Sequence, residues 1–140
     1  MQDLLNARAM LEQGGYTCVL CRGETAITDR RRGVKPLLEL LDSGNDHTGF
    51  SAADKVVGKA AAHLYCLLGV KAVYAGVISK PAKAVLRANG IAVTYGTEVA
   101  AIRNRTNTGL CPMESAVWDI PGHENARLAI VQTLQKLQTP

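Results

Sequence analysis

Residues 73–96 read Val73-Tyr-Ala-Gly-Val-Ile-Ser-Lys-Pro-Ala-Lys-Ala-Val-Leu-Arg-Ala-Asn-Gly-Ile-Ala-Val-Thr-Tyr-Gly96. Within them a Val-rich run over 71–78 predicts a strand, Pro81 stands near the start of a helix through Ala88, and Asn89-Gly90 stops that helix. Ile91 to Tyr95 predicts a second strand. Strand, helix and strand in so short a stretch make a βαβ unit, so the two strands should be parallel with a right-handed crossover. An α/β protein with a partly parallel sheet follows from this segment alone. Gly76, inside the first strand, marks a place where something approaches the backbone closely, a ligand or a helix.

Outward toward the N-terminus, Leu4, Ala7 and Leu11 recur at helical spacing over 3–13, and Gly14-Gly15 supplies the stop. Tyr16–Leu20 and Thr25–Thr28 flank Arg22-Gly23-Glu24 and predict a hairpin. Pro36 can start a short helix through Leu41, ended by Asp42-Ser43-Gly44-Asn45-Asp46. From Ser51 a long buried helix is expected, with Val56, Val57, Ala60, Ala61, Leu64, Leu67 and Leu68 covering a wide arc and Gly69 ending it. Outward toward the C-terminus, Val99–Arg103 is expected to add a strand. A short helix is expected over 112–118, and a last helix over 124–137 with Ala126, Ile130, Leu134 and Leu137 on one face.

The chain has 140 residues, 47% hydrophobic and 20% charged. That is enough for one core and too apolar for disorder, so 1–140 is read as a single domain. Aromatic residues are scarce, so the core must be built from Val, Leu, Ile and Ala. The net charge of +4 is concentrated in Arg30, Arg31, Arg32 and Lys35. A short basic run without interleaved aromatics is weak support for nucleic acid, and a solvated loop is the simpler reading. No apolar stretch is long enough to span a bilayer and the N-terminus has no basic leader, so a cytoplasmic protein is expected. Four cysteines form no disulfide framework and are expected to be reduced. Cys18 and Cys21 have CxxC spacing, but in a strand they would face opposite sides, which argues against a metal or redox pair.

The order helix, hairpin, helix, strand, helix, strand resembles the cytidine deaminase-like superfamily, with the segment 73–96 as its nearest local match. The resemblance implies a three-layer α/β/α sandwich with a mixed sheet. In deaminases the helix after the first strand opens with a Pro-Cys-x-x-Cys pair of zinc ligands; the corresponding residues here are Ser79-Lys80-Pro81-Ala82-Lys83. The other motif, a His or Cys two residues before a catalytic Glu, falls on Ala52-Ala53-Asp54. Neither supplies a ligand, and an activated water needs a metal held by protein ligands. No metal site and no cofactor are therefore expected. Residues 33–44, 50–62 and 108–117 together are also similar to small prokaryotic proteins placed in that superfamily.

Two places could carry chemistry. Cys111 precedes Pro112 and should cap a helix, where the macrodipole would favour its thiolate, with Glu114 three residues on as a cap or proton acceptor. Ser51-Ala52-Ala53-Asp54 has capping-box spacing; alternatively Asp54 and Lys55 form an acid–base pair at the rim of a deaminase-like pocket. Lys55, Lys59 and His63 would continue along one face of that helix as a polar stripe needing partners or water. Ser51, Ser79 and Gly109, at predicted element junctions, are candidate ligand contacts. Two functions stay open. One is a small-molecule binding or sensing domain that has lost zinc, with a nucleotide-like molecule as one candidate ligand. The other is a zinc-independent enzyme with Cys111 as nucleophile and Asp54, Lys55 or Glu114 moving protons. Either is compatible with a homo-oligomer, and Cys111 is expected to lie close to Asp54 or Lys55.

Overall fold

The computed structural model describes residues 1–138. Helix α1 (Gln2–Gly14) leads into strands β1 (Cys18–Arg22) and β2 (Thr25–Asp29), then α2 (Lys35–Asp42). Two βα steps and a further strand follow: β3 (Ser51–Val57), α3 (Lys59–Leu68), β4 (Ala72–Ser79), α4 (Lys80–Ala88) and β5 (Ala92–Val99). The chain ends with α5 (Pro112–Val117) and α6 (His123–Gln138). The strands lie in the order β2-β1-β3-β4-β5. β1 is antiparallel to both neighbours, whereas β3, β4 and β5 are mutually parallel, so the sheet is mixed.

Alternation along β1 sorts the two faces. Cys18 and Leu20 enter the main core with α2, α3, α4 and α6, while Val19 and Cys21 join Ala7 and Leu11 of α1 in a smaller cluster. The two cysteines of the CxxC thus face opposite sides of the sheet, as strand geometry requires. Helix α1 covers β1, β3 and part of β4; α3 sits at the centre of the other layer, against α2, α4, α5 and α6. This is the expected three-layer α/β/α arrangement.

The stretch from Ser51 does not begin a helix. Its first seven residues form β3, Gly58 breaks the chain in an extended conformation, and the helix is only Lys59–Leu68. Ser-Ala-Ala-Asp-Lys has no β propensity of its own. The strand is imposed by position: β3 is hydrogen-bonded on both sides, and Ala52 and Ala53, both fully buried, are small enough to let α3 and α1 close on its two faces. The capping box at Ser51 and the polar stripe from Lys55 to His63 therefore do not exist, because Lys55 lies on a strand and Lys59 and His63 on a helix. Val99–Arg103 is not a further strand either. β5 runs through to Val99, and beyond it only an isolated bridge joins Arg103 to Leu110.

The three parallel strands share an irregularity at one level. Asp54, Ala75 and Tyr95 pair in a row, and pairing resumes at Val56, Val77 and Thr97. Ala52 and Val57, like Ala75 and Ile78, belong to the same core cluster although an odd number of residues separates them. Side-chain alternation slips by one residue at this row. A Cβ on Gly76 would lie 2.8 Å from the Lys55 carbonyl oxygen, and one on Gly96 2.9 Å from the Gly76 carbonyl oxygen. The close approach expected at Gly76 thus comes from the neighbouring strand's backbone.

Candidate binding site

Asp54 and Cys18 are cross-strand partners on β3 and β1. Tyr65, one of the largest fully buried side chains, descends on them from α3. Its hydroxyl donates to Asp54 Oδ2 at 2.7 Å and lies 3.2 Å from Cys18 Sγ. A phenol has one proton, so with that proton committed to the carboxylate, the thiol donates to the phenol oxygen. Asp54 Oδ1 accepts the Val56 N–H at 3.2 Å, which satisfies backbone at the row where alternation slips.

Burial governs the electrostatics of this chain of bonds. Desolvation pushes the Asp54 carboxyl up to about 6 against the opposing pull of Tyr65 and the Val56 and Lys55 N–H groups. Tyr65 is raised well above the ordinary phenol range by burial and by Asp54. Cys18 is raised above the ordinary thiol range by burial first and then by Asp54, so it remains a thiol and not a nucleophile.

Cys18 also walls a cavity of about 120 Å³ between the hairpin and α2. Leu20, Ile27, Pro36 and Leu40 give it an apolar interior, and Thr28, Asp29, Arg31 and Glu39 a polar side. Arg31 closes that side with two ion pairs, Nη2 to Asp29 Oδ2 at 2.8 Å and to Glu39 Oε1 at 2.6 Å. Both carboxyls are held below their usual range, chiefly by their hydrogen bonds to Arg31. Arg30 is also engaged, donating to the Gly14 carbonyl and stacking on Tyr16. Two arginines of the basic run are therefore bound within the protein.

The other expected site residues gather elsewhere. Glu114, 1% exposed, does not cap its own helix; its Oε1 accepts the Lys59 N–H at 2.5 Å and its Oε2 the Ile102 N–H at 2.7 Å. It thus occupies the N-terminus of α3, where a carboxylate meets unsatisfied N–H groups and the positive end of the dipole. Gly58 makes room, since a Cβ there would come within 3.2 Å of Glu114 Oε1. Cys111 is the N-cap of α5 without a side-chain capping bond; its N–H donates to the Ile102 carbonyl at 2.9 Å. Gly58 lies four residues beyond Asp54, ~13 Å along an extended chain at ~3.3 Å per residue. Glu114 thus ties the start of α3 to Ile102, whereas Asp54 is bonded by Tyr65 and paired across the strands with Cys18.

Lys55 is exposed, with its N–H bonded to the Thr17 carbonyl. Ser79 caps α4, its Oγ accepting the Ala82 N–H at 3.3 Å. Gly109 lies in the loop before α5, its carbonyl accepting the Asn104 N–H. Ser51 is fully buried and its Oγ has no hydrogen-bond partner. Among the described residues, no group of three or more His, Cys, Asp or Glu is placed to hold a metal ion. No helix among them is long and apolar enough to cross a membrane.

Cys18, Tyr65 and Arg31 were not singled out by sequence as one site. A cysteine in an apolar strand reads as core, and so does a tyrosine in an Ala- and Leu-rich helix. Only the register of β1 on β3 brings them to Asp54.

By fold and site, the chain is a three-layer α/β domain with a small, partly open cavity beside a Cys–Tyr–Asp relay. Residues 6–134 match the family model described as TM1506, Domain of unknown function (DUF1893), and the chain belongs to that family. It is similar to the crystal structure of a DUF1893 family protein (TM1506) from Thermotoga maritima, at 26% identity and a TM-score of 0.83, over 97% of this chain and 91% of that one. No curated protein matches the chain.

Proposed function

We propose that the chain is a cytoplasmic small-molecule binding or sensing domain with a cytidine deaminase-like architecture that has no zinc position. The order of elements supports the architecture. α1, the hairpin, α2, β3, α3 and β4 reproduce helix, hairpin, helix, strand, helix, strand, one βα unit earlier than the 73–96 match places it. On that alignment the two motif-bearing helices are α3, opening at Gly58-Lys59-Ala60, and α2, opening at Val34-Lys35-Pro36. Neither opening offers a Cys or His, so the residues present do not fit a zinc ion. At the start of α3 the chain's own Glu114 carboxylate fills the place of an anionic ligand.

The observation that carries the binding reading is the cavity between the hairpin and α2. A cavity of ~150 Å³ lined by apolar residues admits benzene, so one of about 120 Å³ suits a slightly smaller, largely apolar molecule whose polar end meets Arg31. Occupancy would press on Cys18 and be passed through Tyr65 to Asp54. The test is amide and methyl NMR with xenon, isopropanol and benzene as probes. Saturable shifts are expected at Leu20, Ile27 and Leu40, and they should vanish in a folded Ile27→Trp variant whose indole fills the space. Shifts that are absent, or that survive the filling variant, overturn the reading.

A second reading, an enzyme with Cys111 as nucleophile, is favoured by one observation: the other three cysteines are buried and Cys111 is partly exposed. Glu114, its nearest acid in sequence, already accepts two backbone N–H groups. A covalent adduct on Cys111 in protein isolated from its host, found by mass spectrometry, would establish this reading. Unmodified Cys111 together with probe binding at the hairpin cavity would exclude it.

A further inference from the structure

The sheet has two edges, and they are treated differently. β2 is five residues long, closed by a hairpin turn, and ends at Asp29, which is clamped to Arg31. β5 is eight residues long and pairs only with β4 among the described residues. Its sequence, Ala-Val-Thr-Tyr-Gly-Thr-Glu-Val, contains five β-branched or aromatic residues and no Pro or Lys. Its one charge, Glu98, is paired with Lys83 of α4. Thr94, Tyr95, Gly96 and Thr97 are exposed. After Val99 the chain turns away, because the Ile102 N–H is bonded by Glu114 over the start of α3. Proteins that stay monomeric blunt such an edge with short strands, lysine, proline or a covering loop, and β5 has none of these.

We infer that β5 is a self-pairing edge, joining two copies of this chain antiparallel across a two-fold axis into a continuous ten-stranded sheet. A second copy fits better than a foreign extended peptide. Peptides captured at a sheet edge gain specificity from pockets for alternate side chains, whereas Gly96 has no side chain and Thr94 and Thr97 have only short ones to shape such pockets. The strand is also compatible with itself in charge. Pairing centred anywhere from Thr94 to Gly96 sets the two Glu98 carboxylates ~14 Å or more apart at ~3.4 Å per residue, past a Debye length of ~10 Å. A two-fold contact is the commonest way for one patch to satisfy itself.

One strand pair buries less than the ~800 Å² per partner of a standard interface, so association in the micromolar range is expected. Two copies, each with a net charge of +4, repel, so added salt should strengthen the dimer. Sedimentation equilibrium of the full chain from about 1 to 500 µM should show a concentration-dependent dimer. Slowed amide exchange confined to alternate residues of β5 should accompany it. Tyr95→Lys/Thr97→Lys should weaken association at least tenfold with an unchanged circular dichroism spectrum, whereas Glu24→Lys at the opposite edge should not. A chain that is monomeric throughout, or a dimer indifferent to the β5 changes, overturns the inference.

Discussion

Asp54, partly exposed, and His63, fully buried, are ionisable groups whose proton linkages oppose each other. His63, fully buried on α3, meets His123 of α6 with 2.7 Å between their Nδ1 atoms, and burial, then His123, then Lys59 lower it to about 4. The unfolded chain therefore binds this proton first, and the stability His63 contributes above pH 6.5 is lost as pH falls toward 4. Asp54 runs the other way. Its folded pKa of about 6 exceeds the ordinary 3.8, so its ionised form burdens the fold at neutral pH and the burden lifts as pH falls through 6. Each effect is at most about 3–4 kcal/mol at ~1.4 kcal/mol per unit. Measured against wild type by urea unfolding, Asp54→Asn should be relatively more stable at pH 7 than at pH 4.5. His63→Gln should be relatively more stable at pH 4.5 than at pH 7. Differences of the same sign in both variants would contradict this. Tyr65→Phe should destabilise by ~1–3 kcal/mol, because the Asp54 carboxylate and the Cys18 thiol lose their shared partner.

Among the elements, legibility followed punctuation. The 73–96 unit could be read because Pro81 and Asn89-Gly90 bracket its helix and Val and Ile fill its strands; β4 and β5 are parallel as expected. β3 could not be read, because nothing in Ser-Ala-Ala-Asp-Lys separates it from the helix that follows except Gly58, and its strand conformation is supplied by β1 and β4. A helix read from Ser51 puts Asp54 at a helix start, whereas in the structure it lies mid-strand. The true partner of the α3 start, Glu114, lies 55 residues away in sequence, and no local pattern points to it. Glu114→Gln keeps the shape but loses the charge and sets an N–H₂ against one of two N–H donors. It should cost ~1–3 kcal/mol in thermal or urea unfolding, with α3 amides the first to lose exchange protection. Gly76→Ala should cost a similar amount, since β3 and β4 must part to admit a methyl group 2.8 Å from the Lys55 carbonyl.

At the scale of the whole molecule, composition predicted one α/β domain with an aliphatic core, but the cavity was invisible because β1, β2, the following loop and α2 each supply part of its wall. Its state is readable through the cysteines. Cys111 is partly exposed, whereas burial pushes Cys66 up to about 11 and Cys18 beyond the ordinary range. A small neutral thiol reagent should therefore label Cys111 first. In a Cys111→Ser background the next question is local. Arg31 bridges Asp29 on β2 and Glu39 on α2, so Arg31→Ala removes the clasp that closes the polar side of the cavity and leaves the two carboxylates to repel each other. Cys18 labelling should then rise at least threefold, while Cys66, packed between α3 and α4 with its thiol toward the Val85 carbonyl, should not change. Equal acceleration of both thiols would mean that Arg31 holds the fold as a whole. No acceleration of Cys18 would mean that the cavity has another entrance or none.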